Sequence, residues 1–149
     1  MLNPVFGNAV DYGLIDINSG AGIDPRTYEP IATNNAVTLE NSIYFPSDGY
    51  QSDFSTANLQ SQAWLVHEVG HIYQYKNNPD YSWVEAVAEG LRSDTYKYSL
   101  NPGMSFDDYR YEQQARILQD YYIAMKRNSS SLGQFQKILN PKGFGMCAK

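Results

Sequence analysis

The sequence contains a single cysteine, only two histidines and no long apolar segment. Cys147 cannot form an internal disulfide, and a lone thiol near one end argues against a cysteine-based metal site. No apolar run approaches the roughly 20 residues that cross a bilayer, and the first residues lack the basic and apolar stretches of a signal peptide. These absences argue against a disulfide scaffold and a transmembrane segment. Because no signal peptide is visible, export would use another route.

Charge and composition exclude further classes of protein. The 149 residues carry a net charge of −5 at pH 7, which disfavours nucleic acid as a partner. The 42 % of hydrophobic and 18 % of charged residues are typical of a globular chain. A chain of this length buries roughly 70 % of its unfolded surface, so its core needs neither disulfide nor metal. Without repeats or sharp changes in composition, residues 1–149 are expected to form a single domain.

Two stretches in the first third of the chain have the pattern of strands. Tyr12–Asn18 alternates apolar and polar residues before a Ser-Gly turn signal. Ala36–Phe45 is rich in β-branched and aromatic residues, contains a turn or bulge at Glu40 and Asn41, and ends at Pro46. We expect both stretches to contribute to a small sheet.

The rest of the sequence favours helices. A first long helix has Ser55 or Thr56 as its N-cap, and a second begins at a capping box formed by Ser82 and Glu85. The predicted helices run from Thr56 to about Asn77, from Ser82 to about Tyr98, from Ser105–Asp108 to about Arg127, and from Leu132 to Leu139.

Both histidines of the chain lie in the run His67-Glu68-Val69-Gly70-His71, on the first long helix. Residues four apart share one face of a helix, so the two imidazoles can reach a single metal ion. Glu68 lies beside them, where it could act on a metal-activated water. This HExxH pattern is typical of zinc peptidases, in which two imidazoles, a carboxylate and a water complete the site. The expected chemistry is hydrolysis of a peptide or amide, with Glu68 as the base.

The residues alone leave open the third ligand and the group that stabilises the oxyanion. Glu85, Glu89 and Glu112 are the acidic candidates for the ligand. Glu85 has a role in the capping box and Glu89 could face solvent, whereas Glu112 borders an apolar stripe, where a lone carboxylate is costly without a cation. Tyrosine can replace the missing third histidine at the oxyanion; the candidates are Tyr109, Tyr111, Tyr121 and Tyr122 on the predicted third helix, with Tyr73 and Tyr75 after the motif.

Three runs, VTLENSIYFP, AWLVHEVGHIYQY and LNPGMSFDDYRYEQQARILQDYY, together resemble the zinc metallopeptidase toxin domains at the C-termini of type VI secretion Vgr spike and Rhs proteins. The resemblance covers about residues 33–125 and includes Gln74, three places after the motif. It implies that Glu112, in the Glu-Gln-Gln run, is the third zinc ligand. The sequence departs from the commoner pattern at Val69 and Gly70, and at Ala115 and Arg116, which leaves the ligands intact and affects the shape of the pocket.

The resemblance also implies an architecture and a setting. The expected fold is a compact zincin-like α+β domain, with about three long helices on a small antiparallel sheet and the HExxH motif on the active-site helix. Residues 33–125 would form the catalytic core, with 1–32 and 126–149 as flanking segments. An extended substrate would lie along the strand at Ala36–Phe45. A toxin of this kind would be a secreted effector delivered to the periplasm or cytoplasm of a target cell and would have a cognate immunity protein.

The leading prediction is therefore a zinc endopeptidase that acts on a protein or peptide substrate as an antibacterial effector. A zinc-dependent amidase of cell-wall peptide uses the same attack on a carbonyl and is an alternative. A second alternative is a non-catalytic binding module that keeps the metal as a structural element. The presence of Glu68 argues against that module, because a structural site does not need a base.

Overall fold

The computed structural model of the chain describes residues 1–20, 22–23, 30–31, 35–82, 88–89 and 92–145. A short helix and a 3₁₀ turn precede five short strands, and the rest of the described chain is mainly helical. The predicted capping box extends to Glu85, which lies outside the described residues, as does Cys147. The helices are α1 (Asn3–Phe6), α2 (Leu59–Asn77), α3 (Tyr111–Lys126) and α4 (Leu132–Leu139), and the strands are β1 (Asp16–Ser19), β2 (Gly22–Ile23), β3 (Pro30–Ile31), β4 (Val37–Leu39) and β5 (Ser42–Phe45).

The main sheet is three-stranded, in the order β1-β5-β4. β4 and β5 form an antiparallel hairpin around Glu40, which has a left-handed φ of 52°, so the turn expected within Ala36–Phe45 is confirmed. β1 runs parallel to β5, with Ile17 opposite Ile43, and the sheet is therefore mixed rather than wholly antiparallel. β2 and β3 form a separate antiparallel pair.

The first predicted strand begins later than the alternation indicates. Tyr12–Leu14 forms one turn of 3₁₀ helix, and only Asp16–Ser19 is strand. The reason is local: the carboxylate of Asp11 accepts a hydrogen bond from the backbone of Gly13 and favours a turn there.

Helix α2 is 19 residues long and contains the HExxH motif. It begins at Leu59 rather than at Thr56, because Asn58 is its N-cap and accepts hydrogen bonds at 3.0 Å from the backbone N–H groups of residues 60 and 61. The predicted cap at Ser55 or Thr56 is wrong. The Ser55 hydroxyl donates instead to Asp53 Oδ1, in a turn that precedes the helix.

The second predicted helix is wrong in its last part. Ala88 and Glu89 have helical backbone, but residues 92–98 form turns and irregular chain. Thr95 explains part of this difference, since its hydroxyl donates to the carbonyl oxygen of Glu89 and its backbone N–H donates to Arg92. Such local bonds from a threonine side chain compete with a continuing helix.

The predicted third helix is divided in two. Ser105 and Asp108 form a reciprocal capping box around a 3₁₀ turn, and α3 then begins at Tyr111. Its end at Lys126 and the short helix α4 agree with the sequence-based expectation. The α+β class is confirmed, and the described residues contain two long helices, α2 and α3.

The hydrophobic core lies between α2, α3 and the sheet, and it extends into both flanking segments. Val5 and Phe6 of the first segment and Leu139 and Phe144 of the last are fully buried. The segments outside residues 33–125 therefore pack into the same core as the central region. Among the described residues, no helix has the length and apolar character that crossing a membrane requires.

Candidate metal centre

Helices α2 and α3 bring together His67, His71 and Glu112. The two histidines are one turn apart on α2, and Glu112 is in the first turn of α3. The Nε2 atoms of the histidines are 3.3 Å apart. Glu112 Oε2 lies 3.2 Å from His67 Nε2, and Glu112 Oε1 lies 3.5 Å from His71 Nε2. All three residues are buried, and they form a group that could hold a metal ion.

The spacing of these atoms fits a tetrahedral ion. Two ligand atoms that each lie about 2.1 Å from a tetrahedral zinc ion are about 3.4 Å from one another. The 3.3 Å between the two Nε2 atoms is close to this edge length, and each Nε2 lies at a similar distance, 3.2 or 3.5 Å, from one of the two oxygens of Glu112. Glu112 Oε2 is also a buried oxygen without a hydrogen-bond partner among the described residues, although it faces an imidazole nitrogen. Two imidazoles and one carboxylate are the ligand set that leaves a fourth position for a water or substrate.

Burial and charge oppose one another at this cluster. Burial by itself lowers the pKa of His67, but the carboxylate of Glu112 facing the ring, with the charge of Glu68, outweighs burial and raises that pKa. Burial raises the pKa of Glu112, and the two histidines outweigh it and lower the pKa. The cluster therefore favours a carboxylate at Glu112 facing a positive charge, which is the electrostatic setting that a cation would take over.

A buried amide, Gln74, fixes the orientation of His71. Its Nε2 donates to the carbonyl oxygen of Tyr111 at 2.8 Å and to Gln114 Oε1 at 3.1 Å. Gln114 Nε2 in turn donates to the carbonyl oxygen of Tyr109. Because its amide nitrogen is engaged in this way, Gln74 Oε1 is the acceptor for the Nδ1–H of His71, 2.9 Å away. That tautomer leaves the lone pair of His71 Nε2 available to a metal.

The proposed base, Glu68, is 4 % exposed and is held by two hydrogen bonds. Thr38 of β4 donates its hydroxyl to Oε2 at 2.7 Å, and Trp64 of α2 donates its indole N–H to Oε1 at 3.1 Å. The preceding residue on α2 is His67 of the cluster. The carboxylate of Glu68 is therefore held by both the sheet and α2, beside the cluster.

One of the alternative third ligands, Glu89, is not part of the cluster. Glu89 Oε2 accepts a hydrogen bond from the backbone N–H of Glu112 at 3.2 Å, so this carboxylate supports the start of α3 rather than joining the cluster. Glu85 lies outside the described residues.

The four tyrosines on the predicted third helix make contacts away from the three ligands. Tyr109 donates its hydroxyl to the Ser99 carbonyl oxygen, and Tyr122 donates to Gln62. The Tyr111 hydroxyl accepts from Asn78 and donates to the Asp80 carbonyl oxygen. Tyr121 is buried, and its ring packs on that of Phe135. The oxyanion assignment made from the sequence thus stays a prediction for these residues, although each has a structural role.

Two other tyrosines lie near the cluster, and sequence reasoning missed them. The ring of Tyr96, which is 46 % exposed, has its centroid 6.0 Å from that of His67. Burial, with the charges of Glu112 and Glu68, raises the pKa of Tyr96 to about 12. Burial raises the pKa of Tyr81 too, with smaller contributions from Tyr75, Glu112 and Glu68. Both phenols therefore keep their protons at neutral pH, as hydrogen-bond donors must.

No sequence signal identified these two residues. Tyr96 falls within a stretch that was predicted to be helical and that forms a turn, which changes the direction of its side chain. Tyr81 follows the end of α2, and its ring packs on that of Tyr111, which is 30 residues later in the chain. Such contacts depend on tertiary structure and not on local pattern.

No protein-family model matches the chain. The type VI secretion system spike protein VgrG2b of Pseudomonas aeruginosa is 29 % identical over an alignment of 149 residues that covers 94 % of this chain. The alignment covers only 14 % of that protein, so the chain spans about one seventh of the length of its relative.

A solved structure described as the effector domain of Pseudomonas aeruginosa VgrG2b has the same fold. It superposes with a TM-score of 0.69 at 26 % sequence identity, over 91 % of this chain and 74 % of the solved one. The resemblance to Vgr effector domains that the sequence indicated is therefore confirmed in sequence and in fold. In sequence and in fold, this chain is therefore similar to the effector domain of a type VI secretion spike protein.

Proposed function

We propose that this chain is a zinc-dependent endopeptidase that acts as a type VI secretion effector. The observation that carries the proposal is the meeting of His67, His71 and Glu112, whose nitrogen and oxygen atoms lie 3.2–3.5 Å apart, directly beside the buried carboxylate of Glu68. The similarity to an effector domain supports the setting in which this chemistry would be used.

The residues of the site would have two kinds of role, metal ligand and general base. His67, His71 and Glu112 would hold the zinc, which when bound lowers the pKa of water and polarises a carbonyl. Glu68 accepts a proton from the attacking water and afterwards passes it to the leaving amine, which is the usual double role of such a carboxylate. Gln74 keeps His71 in the tautomer that binds metal.

A purely structural metal site explains less of what is seen. It would account for the three ligands, but it would not require a second carboxylate, 4 % exposed and hydrogen-bonded on both oxygens, next to them. Hydrolysis of cell-wall peptide uses the same residues in the same roles, so the test below must separate it from proteolysis.

The test compares the wild-type chain with Glu68→Gln after expression in bacterial cells, both directed to the periplasm and kept in the cytoplasm. Mass spectrometry then identifies new protein N-termini and released cell-wall fragments. We expect Glu68→Gln to keep one zinc per chain and to lose cleavage by about 10²–10⁴-fold, because it removes the base and leaves the ligands. Asp48→Asn, the same chemical change at an exposed position, is the matched control.

The outcomes separate the candidate functions. New protein N-termini that depend on Glu68 support the endopeptidase, whereas cell-wall fragments alone favour the amidase. Undiminished toxicity in Glu68→Gln would contradict both enzyme hypotheses, the endopeptidase and the amidase, and would favour the binding module. The compartment in which wild type is toxic identifies the site of action. A cognate immunity protein, which remains part of the proposal, should suppress that toxicity.

A further inference from the structure

We propose that Thr38 and Trp64 are positioning residues that hold the carboxylate of Glu68 in its reactive orientation, and that Gly49 makes the position of Trp64 possible. This inference rests on the proposed function, in which Glu68 is the base. It adds the residues that set the direction of that base: Thr38 on β4, and Trp64, which is on α2 but precedes the HExxH motif.

The first support is the number of bonds to a single buried side chain. Thr38 Oγ1 donates to Glu68 Oε2 at 2.7 Å, and Trp64 Nε1 donates to Oε1 at 3.1 Å. A carboxylate that is buried to this degree must be hydrogen-bonded, and one donor on each oxygen fixes the rotation of the group. Each oxygen keeps a further lone pair, so the carboxylate remains able to accept a proton.

The second support is the position of Thr38 in the sheet. It is the middle residue of β4, is 5 % exposed, and pairs with Ile43 in the hairpin. Its hydroxyl also lies 3.4 Å from the backbone oxygen of Glu68. The orientation of the base is thus tied to the sheet as well as to its own helix, which a bond within α2 could not achieve.

The third support is the packing that holds the indole of Trp64. Its ring packs edge-on against Phe45 of β5, with centroids 5.1 Å apart. The ring also lies close to Gly49, where an added Cβ would be 2.6 and 2.9 Å from two ring atoms. Only glycine fits at residue 49 without displacing the ring. The contact is steric and does not depend on backbone strain.

These contacts predict a particular kinetic defect. If either donor is lost, Glu68 keeps its carboxylate but occupies the reactive orientation for less of the time. Misorientation of a reacting group lowers the rate of the chemical step and leaves substrate binding largely intact. The ligands of the zinc are unchanged in such variants, so zinc content should be unchanged too.

The kinetic experiment uses one peptide that wild type cleaves in a proteome-derived peptide library. Thr38→Val removes the hydroxyl and keeps the shape, Thr38→Ser restores the hydroxyl, and Trp64→Phe removes the indole N–H. We expect Thr38→Val and Trp64→Phe to lower kcat by about 10- to 100-fold with KM within about twofold, and Thr38→Ser to recover most of the rate. Thr56→Val removes an exposed hydroxyl and is the matched control.

A second measurement needs no activity. In the ¹⁵N-labelled protein without zinc, the indole N–H of Trp64 gives its own NMR signal, assigned by its loss in Trp64→Phe. We expect slow exchange of this proton with solvent in wild type and fast exchange in Glu68→Ala, which removes its acceptor. Gly49→Ala should also speed exchange and should lower kcat, because the added methyl group pushes the ring away from Glu68.

The two arms distinguish failure of this inference from failure of the proposed function. Wild-type kcat in Thr38→Val and Trp64→Phe, beside an inactive Glu68→Gln, would overturn the positioning role and leave the peptidase standing. Indole exchange that does not respond to Glu68→Ala would overturn it too, even if Thr38→Val failed to fold. Full cleavage by Glu68→Gln would overturn the proposed function, and the positioning role with it.

Discussion

The candidate metal centre shows which site residues a sequence can reveal on its own. His67 and His71 could be predicted with Glu68, because a helix places residues four apart on one face. Glu112 is 41 residues after His71, so its place depends on how α3 crosses α2. The cost of a lone buried carboxylate pointed to it, and the family resemblance supported it. The role of Gln74 depends on an amide network that no spacing rule describes.

At the residue scale, we expect Glu112→Ala and Glu89→Ala to differ strongly in zinc affinity. Glu112 supplies an oxygen to the cluster, so its loss leaves two ligands and should abolish activity. Glu89 contacts only the backbone N–H of Glu112 among the bonds described for its side chain, so its loss should weaken binding by about 10-fold at most. Competition with a chromophoric chelator measures both affinities.

Comparable losses of affinity in the two variants would contradict Glu112 as a ligand distinct from Glu89. A zinc-bound crystal structure gives a direct check. A carboxylate of Glu112 more than about 3 Å from the ion would not be a ligand, because a zinc–oxygen bond is near 2.0–2.2 Å.

At the scale of elements, strands and helices that follow from repeating sequence patterns could be predicted. Places where side chains compete for the backbone hydrogen bonds of a helix could not. The hairpin within Ala36–Phe45 and helix α4 follow from strand, turn and helix signals. Residues 92–98 were predicted to be helical but form turns, where Thr95 bonds to the backbone of Glu89. Helix signals are averages over many residues, and a few side-chain bonds can override them.

The crossing of α2 and α3 explains two departures from the commoner family pattern. Gly70 of α2 faces Ala115 of α3, and a Cβ added at Gly70 would lie 3.3 Å from the Ala115 Cα and 3.2 Å from Leu118 Cδ1. Two small residues at this point let the helices approach closely. Glu112 is one turn before Ala115, so this approach also sets its distance from the histidines.

We therefore expect Gly70→Val to lower both stability and zinc affinity. The added side chain must push α3 away, and overpacking of this kind costs about 1–3 kcal/mol of the free energy of unfolding. Movement of α3 also takes Glu112 away from His67 and His71. Gly133→Ala in α4 is the control, because its Cβ would meet nothing within 4 Å, and it should raise stability by about 0.5–1 kcal/mol. Urea unfolding and zinc titration of both variants measure the effects, and unchanged zinc affinity in Gly70→Val would contradict this link.

At the scale of the whole molecule, the core closes around both ends of the described chain. Phe144 packs on Phe6, Tyr73 and Phe106, with ring centroids 4.6–5.9 Å apart. The backbone N–H of Gly145 donates to the carbonyl oxygen of Val5 at 2.8 Å. The resemblance drawn from the sequence covered only residues 33–125, so this closure could not be predicted from it. Because the core is complete without the cluster, the fold should persist when metal is removed.

The last prediction follows from that separation between core and cluster. A ligand that binds only the folded state adds RT ln(1 + [L]/Kd) to its stability, about 4 kcal/mol when free zinc is 1,000 times Kd. For a chain of this size, about 1 kcal/mol corresponds to roughly 2–4 °C in Tm, so chelation of wild type should lower Tm by about 8–16 °C and leave a cooperative transition. His71→Ala, which retains the core but lacks one ligand, should lose far less on chelation. An equal shift in this variant would mean that the stabilising metal binds elsewhere, and non-cooperative unfolding of chelated wild type would mean that the core depends on the metal after all.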